Sequence, residues 1–277
     1  MTTIHLIQTG NVKVKVSQTR RVGSGGIARV LFSRTWTDWL PINAWVVEHA
    51  EGMIVVDTGE TARVAEPGYF PRWQPYFRLA VRMDVKPEQE IGSKMRASGL
   101  NPEAVRKVIL THFHTDHAGG ISHFPNSEFL VSAGEYQNVQ GFAGMLQGYL
   151  PHHLPGWFAP SFIQFKSESF GPFEESYVVT EAGDVVIVPT PGHTPNHVSV
   201  IVKVDGISYF IAGDTSYFEE LLLERHPDGV SPNIEAARET MHKILRYAEA
   251  EPTVYLPSHD PLSGDRLRHK QIVTPAA

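Results

Sequence analysis

The segment Thr111-His112-Phe113-His114-Thr115-Asp116-His117 holds three imidazoles and one carboxylate within six residues. The apolar residues 108–110 precede it and predict a strand that ends in the segment. Alternate side chains of a strand share a face, so we expect His112 and His114 to point the same way. The carboxylate and the third imidazole turn toward the same space once the chain enters a loop or a helix. Because imidazole nitrogens and carboxylate oxygens suit zinc and neighbouring divalent metals, the segment predicts a metal site.

Chance clustering is the alternative explanation, because the chain contains 14 histidines. At this composition the pattern H-x-H-x-D-H arises by accident on the order of once in a thousand such chains. The metal hypothesis is therefore preferred, and further ligands are expected elsewhere in the chain.

Three further polar residues each follow an apolar run that predicts a strand, namely His193, Asp214 and His259. Glycine or proline beside each of them indicates a sharp turn, where a side chain can be aimed into a site. A single histidine after a strand is more often a loop or core residue than a ligand. In this order after the first segment, however, the three residues favour a set of seven ligands. Seven ligands exceed the need of one tetrahedral ion and suit two ions, with a carboxylate such as Asp214 shared between them.

Length, charge and cysteine content bound the class of protein. The chain has 277 residues, of which 42% are hydrophobic, and no Ser/Gly-rich linker divides it, so we expect a single domain over residues 1–277. A net charge of −6 and a pI of about 6.1 disfavour a nucleic-acid partner, because a phosphate backbone requires a basic surface. The absence of cysteine excludes disulfides and thiolate ligands.

Neither a membrane partner nor secretion is indicated. The chain contains no apolar run of about 18 residues or more. Its first residues lack a basic start followed by a long apolar stretch. We therefore expect a cytoplasmic location.

Apolar runs and turn residues predict an α/β fold built from two similar halves. Strands are predicted at residues 4–8, 12–16, 28–32, 44–48, 53–56, 185–188, 198–204 and 207–212. Asp205-Gly206 predicts a hairpin turn. Helices are predicted over residues 87–98 and from a cap at Ser231-Pro232 to about Ala250. Residues 61–83 and 141–172 are rich in Pro, Gly and aromatics and predict long functional loops.

The ligand motifs resemble those of the metallo-β-lactamase superfamily over nearly the whole chain. The order is H-x-H-x-D-H, then the turn P-G-H-T at His193, then G-D at Asp214, then a late histidine at His259. The resemblance implies an αββα sandwich and two divalent ions, zinc first, with cobalt, manganese and iron also suited to the ligands. It places one ion on His112, His114 and His193, the other on Asp116, His117 and His259, and Asp214 between them. Asp57 matches the early aspartate that orients ligands, with an ordinary turn aspartate as the alternative.

Hydrolysis is the chemistry that this resemblance implies, because two divalent ions present a bridging hydroxide near neutral pH. Asp214 argues against a β-lactamase proper, since those enzymes generally lack a bridging aspartate. Tyr217, three residues after Asp214, is similar to the tyrosine of quorum-quenching N-acyl-homoserine lactonases, which donates to the substrate carbonyl oxygen. In those enzymes the ligand matching Asp116 also carries a proton to the leaving alkoxide. Packing at a helix start is the alternative role for Tyr217.

The resulting hypothesis is a metal-dependent lactonase that opens N-acyl-homoserine lactones. The rival hypotheses are a hydrolase of thioesters or organophosphate triesters on the same site, and a non-catalytic metal-binding protein. An acyl-lactone substrate needs an apolar groove. The residues expected to line it, or to cover the sandwich or form a homodimer contact, are Trp36, Trp39, Leu40, Phe142, Met145, Leu146, Tyr149, Trp157 and Phe158.

Overall fold

The computed structural model describes residues 2–275, which form two compact units. The first contains the chain up to Val16 together with Leu31–Phe162. The second contains Ser17–Val30 and the chain from Ile163 onward. Each unit is built around its own β-sheet, so the chain has a mixed α/β fold with two sheets.

The sheet of the first unit has seven strands within the described residues, in the order β4-β1-β2-β3-β5-β6-β7. The strands are β1 (Thr3–Val14), β2 (Leu40–Glu48), β3 (Met53–Val56), β4 (Val81–Asp84), β5 (Val105–Ile109), β6 (Glu128–Val131) and β7 (Ser161–Phe162). Neighbours from β4 to β3 pair antiparallel. Neighbours from β3 to β7 pair parallel, so the carboxyl ends of β3 and β5 meet at one edge.

Short helices connect the strands of the first unit. Two further helices each include a point in the sequence where the chain passes from one unit to the other. In chain order the helices up to residue 146 are α1 (Val16–Thr19), α2 (Gly26–Phe32), α3 (Pro75–Leu79), α4 (Ile91–Ala97), α5 (Thr115–Ala118), α6 (Ala133–Val139) and α7 (Gly141–Leu146). Turns of 3₁₀ helix lie at Ala62–Ala65, Pro87–Gln89, Pro102–Ala104, Ile121–His123 and Pro151–His153. The predicted loops at 61–83 and 141–172 therefore contain regular structure.

The sheet of the second unit has the order β12-β11-β10-β9-β8. Its strands are β8 (Tyr177–Val178), β9 (Val185–Pro189), β10 (Val198–Val204), β11 (Ile207–Gly213) and β12 (Thr253–Pro257). The hairpin between β10 and β11 turns at Asp205-Gly206 as predicted, with both residues at positive φ. Strands β11 and β12 pair parallel, and β9 runs in the same direction as β11 because each is antiparallel to β10.

The described chain beyond residue 163 adds three helices to this unit: α8 (Glu219–Leu223), α9 (Ile234–Ala250) and α10 (Ser263–His269). Helix α9 buries Met241, Ile244, Leu245 and Ala248, which recur at helical spacing and pack into the core of the second unit. Among the residues that the structure describes, no helix has both the length and the apolar character that a membrane crossing requires.

Several predicted elements differ from the structure. The strands predicted at 4–8 and 12–16 form the single strand β1. Residues 28–32 were expected as a strand but lie in helix α2. Val30 is buried and Phe32 is exposed, so the segment lacks the alternate buried side chains of a half-buried strand. The helix predicted over 87–98 is a 3₁₀ turn followed by α4, because Glu90 has an extended ψ of 147°. The cap of α9 is Asn233, whose side chain accepts from the Ala236 N–H at 3.1 Å, rather than Ser231.

We predict that the turn after β3 tolerates no side chain at Gly59. A Cβ there would lie 1.9 Å from Oγ1 of the buried Thr9, and Gly59 also has a φ of +67°. Gly99 has a similar φ of +79° but no atom within 4 Å of the corresponding position. Gly99→Ala should cost about 1–2 kcal/mol through backbone strain alone, and Gly59→Ala about 1–3 kcal/mol more through overpacking. Urea unfolding of both variants measures the difference, and equal costs would contradict the steric argument.

Candidate functional site

The histidine-rich segment of the first unit follows β5 and lies beside the turn that follows β3. Because the two strands are parallel, Asp57 at the end of β3 is placed next to the end of β5, and its N–H donates to the Ile109 carbonyl at 2.9 Å. Strand β5 ends at Ile109 and does not run into the segment as predicted. The side chains of His112 and His114 nevertheless meet, with His112 Nε2 and His114 Nδ1 3.0 Å apart. Their meeting comes from the loop before α5, not from strand alternation.

The carboxylate of Asp57 holds this loop in place. Asp57 is fully buried, and its Oδ1 accepts from the Thr111 N–H at 2.8 Å. Its Oδ2 lies 2.8 Å from His117 Nδ1, which leaves Nε2 as the nitrogen of that ring that faces away from the carboxylate. Histidines that ligate metals usually have their other ring nitrogen bonded in this way. The structure thus gives Asp57 the contact expected of an orienting residue.

The remaining ligands of the first unit lie around the same loop. The ring centroids of His112 and His117 are 4.1 Å apart. A carboxylate oxygen of Asp116 lies within 4.8 Å of a ring nitrogen of His117. His117 belongs to α5, and its carbonyl accepts from the Thr58 N–H at 2.7 Å. The four ligands predicted in the segment are therefore clustered within the first unit.

A second carboxylate, that of Glu60, supports the same helix from its other end. Thr115 Oγ1 donates to Glu60 at 2.5 Å, and the Tyr69 hydroxyl donates to it at 2.7 Å. Burial raises the pKa of Glu60 to about 7, although the bonds from Thr115, Thr61 and Tyr69 act in the opposite direction. Sequence reasoning missed this residue, since a glutamate after a glycine carries no motif.

The other three predicted ligands come together in the second unit. His193, Asp214 and His259 follow the ends of β9, β11 and β12, which point to one edge of the sheet, and all three are buried. Asp214 Oδ2 lies 3.4 Å from His193 Nε2, and Asp214 Oδ1 lies 3.4 Å from His259 Nε2. One carboxylate therefore presents a different oxygen to each imidazole.

Two residues that sequence reasoning did not assign hold this cluster. Asp228 Oδ2 lies 2.7 Å from His193 Nδ1, and its Oδ1 accepts from the N–H groups of Val230 and Ser231. His197 Nε2 accepts from the Asp214 N–H at 3.1 Å. Asp228 lies 35 residues beyond His193 with no recognisable motif, whereas the second histidine of P-G-H-T-P-N-H was a visible signal for His197.

Tyr217 is buried beside the predicted ligand His259. The two rings stack with centroids 5.4 Å apart and planes 23° apart. The phenol is thereby fixed next to a predicted ligand, which fits a role at the site, although the stacking alone does not assign one.

The donor sets fit divalent metal ions. Bonds of about 2.0 Å to a tetrahedral ion place two ligand atoms about 3.3 Å apart. The separations within the two clusters, 3.0 Å between His112 and His114 and 3.4 Å from Asp214 to each of its histidines, are close to that value. The carboxylates on the far nitrogens of His117 and His193 complete the usual environment of metal-binding imidazoles. The convergence of the two clusters on one centre stays a prediction.

The aromatic residues predicted to line a groove fall into two groups. Tyr149 and Phe158 are buried in the core of the first unit, whereas Trp39, Phe142 and Trp157 are exposed. The first unit also contains a cavity of about 270 Å³ that sequence reasoning did not predict. Its lining mixes polar and apolar side chains, among them Arg63, Tyr69, Phe113, Thr115, Ile121, Leu150 and His153. Burial lowers the pKa of His153 to about 4, so this ring is neutral at pH 7.

Comparisons with known proteins identify the family. The N-acyl homoserine lactonase AttM of Rhizobium radiobacter is 26% identical over 272 residues, which cover 93% of each chain. A solved N-acyl homoserine lactone hydrolase, with N-hexanoyl-L-homoserine bound at its catalytic metal centre, matches with a TM-score of 0.76 and 20% identity over 99% of this chain and 97% of that one. AidC, a dizinc quorum-quenching lactonase, matches with a TM-score of 0.66 and 15% identity over 95% and 89%.

These structures confirm the predicted fold class. The family model of the metallo-beta-lactamase superfamily matches residues 37–259, a range that contains all seven predicted ligands. On that match the chain belongs to the metallo-beta-lactamase superfamily.

Proposed function

We propose that this protein is a metal-dependent hydrolase that opens the lactone ring of N-acyl-homoserine lactones. The observation that carries the proposal is the carboxylate of Asp214, whose two oxygens each lie 3.4 Å from a different buried imidazole, as a bridge between two ions requires. The curated relatives named as N-acyl homoserine lactonases support the choice of substrate. In this proposal residues 1–277 form a single αββα domain.

The seven predicted ligands would hold the ions. One would bind His112, His114 and His193, the other Asp116, His117 and His259, and Asp214 would lie between them. Zinc is the first expectation, supported by the dizinc composition of AidC, while cobalt, manganese and iron suit the same donors. When bound, two such ions would supply Lewis acidity and would lower the pKa of a bound water, so that a hydroxide nucleophile is available near neutral pH.

Two side chains are assigned catalytic roles. Tyr217 would donate its phenol proton to the lactone carbonyl oxygen, where negative charge develops during attack. Asp116 would carry a proton to the ring oxygen as it leaves, because a carboxylate can accept a proton from the attacking water and pass it on. The product would be the ring-opened N-acyl-homoserine.

The cavity of the first unit is our candidate for the acyl part of the substrate. It lies beside Thr115, between two predicted ligands in the sequence, and Phe113, Ile121 and Leu150 give it apolar surface. The expected partner is thus a small acyl-lactone, with no role for nucleic acid or membrane. The homodimer and the cytoplasmic location stay predictions.

We predict that metal-loaded protein hydrolyses an N-acyl-homoserine lactone far faster than a thioester or a phosphotriester. The measurement is kcat/KM across a panel of the three ester types at one metal loading. The reverse order would favour the rival hydrolase. Hydrolysis of none of them, by protein shown to carry two ions, would favour the non-catalytic metal-binding protein.

We predict a graded loss of metal along the ligand set. His112→Ala and Asp214→Ala should lose bound metal and activity together. Asp228→Asn should weaken metal affinity by about 10–100-fold, because it removes the carboxylate on the far nitrogen of a ligand. Chelator competition followed by elemental analysis measures the affinity. Asp205→Asn, at an exposed hairpin turn, is the control and should bind metal normally. Full metal retention by Asp214→Ala would exclude the bridging role.

We predict that Tyr217→Phe keeps its metal but loses rate, by roughly ten- to a thousandfold in kcat, since it removes one oxyanion donor. Steady-state kinetics with matched metal analysis separates the two effects. Tyr177→Phe, in the same unit, is the control and should have normal kinetics. A normal kcat in the Tyr217 variant would leave that residue a packing role only.

A further inference from the structure

Tyr217 has a buried neighbour that the ligand motifs do not reveal. Gln18 belongs to α1, almost two hundred residues before Tyr217 in the sequence, yet both lie in the second unit. The Gln18 side-chain Nε2 donates to the Tyr217 hydroxyl oxygen at 2.8 Å, and both residues are only 3% exposed. A buried hydrogen bond of this length between side chains is costly to break.

The direction of this bond matters for the chemistry. A phenol has one proton to donate and oxygen lone pairs that accept. Because the amide is the donor, the bond occupies a lone pair of Tyr217 and leaves the phenol proton for an acceptor other than Gln18. A hydroxyl that accepts a hydrogen bond is polarised and becomes a stronger donor itself.

Backbone contacts fix Gln18 to the segment that also holds His193. The Gln18 carbonyl accepts from the Gly229 N–H at 2.8 Å, and the Arg21 N–H donates to the Pro227 carbonyl at 2.8 Å. A Cβ on Gly229 would lie 1.9 Å from the Ser17 carbonyl oxygen, so the two segments are in close contact. Asp228, between Pro227 and Gly229, is the residue bonded to His193.

Tyr217 is thus held at two points. Its ring stacks on His259, and its hydroxyl is bonded to Gln18. Stacking alone restricts the plane of the ring but leaves the hydroxyl torsion free. The amide of Gln18 supplies the missing constraint, because it occupies one side of the oxygen and sets the direction of the O–H bond.

We propose that Gln18 is a positioning residue for Tyr217: its amide donates to the phenol oxygen and directs the phenol proton toward the carbonyl oxygen of the bound ester. This inference rests on the proposed function, since it assigns Gln18 to the oxyanion contact of that reaction. Gln18 itself touches no reacting atom and acts through Tyr217.

The test is a double-mutant cycle on metal-loaded full-length protein. Gln18→Met has nearly the same shape but donates no hydrogen bond, and it should lower kcat about three- to tenfold with KM within about twofold, as expected for one lost hydrogen bond. Gln18→Glu should lower kcat further, because an ionised carboxylate can only accept and would itself receive the hydrogen bond from the phenol O–H. In the Tyr217→Phe background, Gln18→Met should change kcat by less than about twofold, since the group it positions is absent.

Controls separate positioning from folding and from the proposed function. Metal content is measured for every variant, and Gln271→Met, at an exposed position of the same unit, should have normal kinetics. The cycle uses whichever ester of the panel the unmodified protein hydrolyses fastest. If that ester is not a lactone, the proposed function is wrong, but the effect of Gln18→Met on kcat can still be measured. An unchanged or raised kcat in Gln18→Met overturns the inference. So does the same fold-loss in the presence and absence of the Tyr217 hydroxyl, or a protein that hydrolyses no ester.

Discussion

The buried carboxylate of Asp57 is the constraint on which the first ligand cluster depends. Asp57 has a φ of +60°, a conformation that aspartate tolerates better than most residues, and this turns its side chain across the end of β5. There it accepts from Thr111 and bonds to His117. A buried carboxylate needs such donors to offset its lost hydration. The same contacts that satisfy Asp57 therefore orient the loop that carries four predicted ligands.

The second unit uses the same device on a different strand arrangement. Asp228 bonds to the far nitrogen of His193, as Asp57 does to that of His117, and backbone N–H groups satisfy its other oxygen. In both units a carboxylate outside the predicted ligand set bonds to Nδ1 of an imidazole, so that Nε2 is the nitrogen that faces away from that carboxylate. Parallel strands explain why this works, since β3 with β5, and β11 with β12, deliver their carboxyl ends to one edge. The positions of the predicted ligands then follow from the direction of the strands. The orientation of His117 and His193 follows from their contacts with the buried acids Asp57 and Asp228.

Sequence reasoning could name the predicted ligands because their chemistry is local, and it failed where the deciding contact is distant. The residue types in H-x-H-x-D-H indicate a metal site within six positions, and the turns at His193 and Asp214 indicate further predicted ligands. Strands β3, β9, β10 and β11 were predicted to within one residue because β-branched runs end at recognisable turns, whereas β4, β7 and β8 were not predicted. Residues 28–32 were misassigned because a short apolar run fits either period, and only burial, here confined to Val30, decides between them. Asp228 and Gln18 have no motif, since their partners lie 35 and 199 residues away.

The acids near α5 divide their roles through their surroundings. Glu60 is fully buried, and desolvation raises its pKa to about 7 despite the donors around it, with the charge of Asp116 as a smaller cause in the same direction. Each time Glu60 takes up a proton, the repulsion between it and Asp116 disappears. Asp57, by contrast, accepts from a backbone N–H and a hydroxyl and lies beside an imidazole, so polar partners replace the water that it loses on burial. Two buried acids thus support one loop through different contacts: Asp57 accepts from Thr111 and bonds to His117, whereas Glu60 accepts from Thr115 and from the Tyr69 hydroxyl.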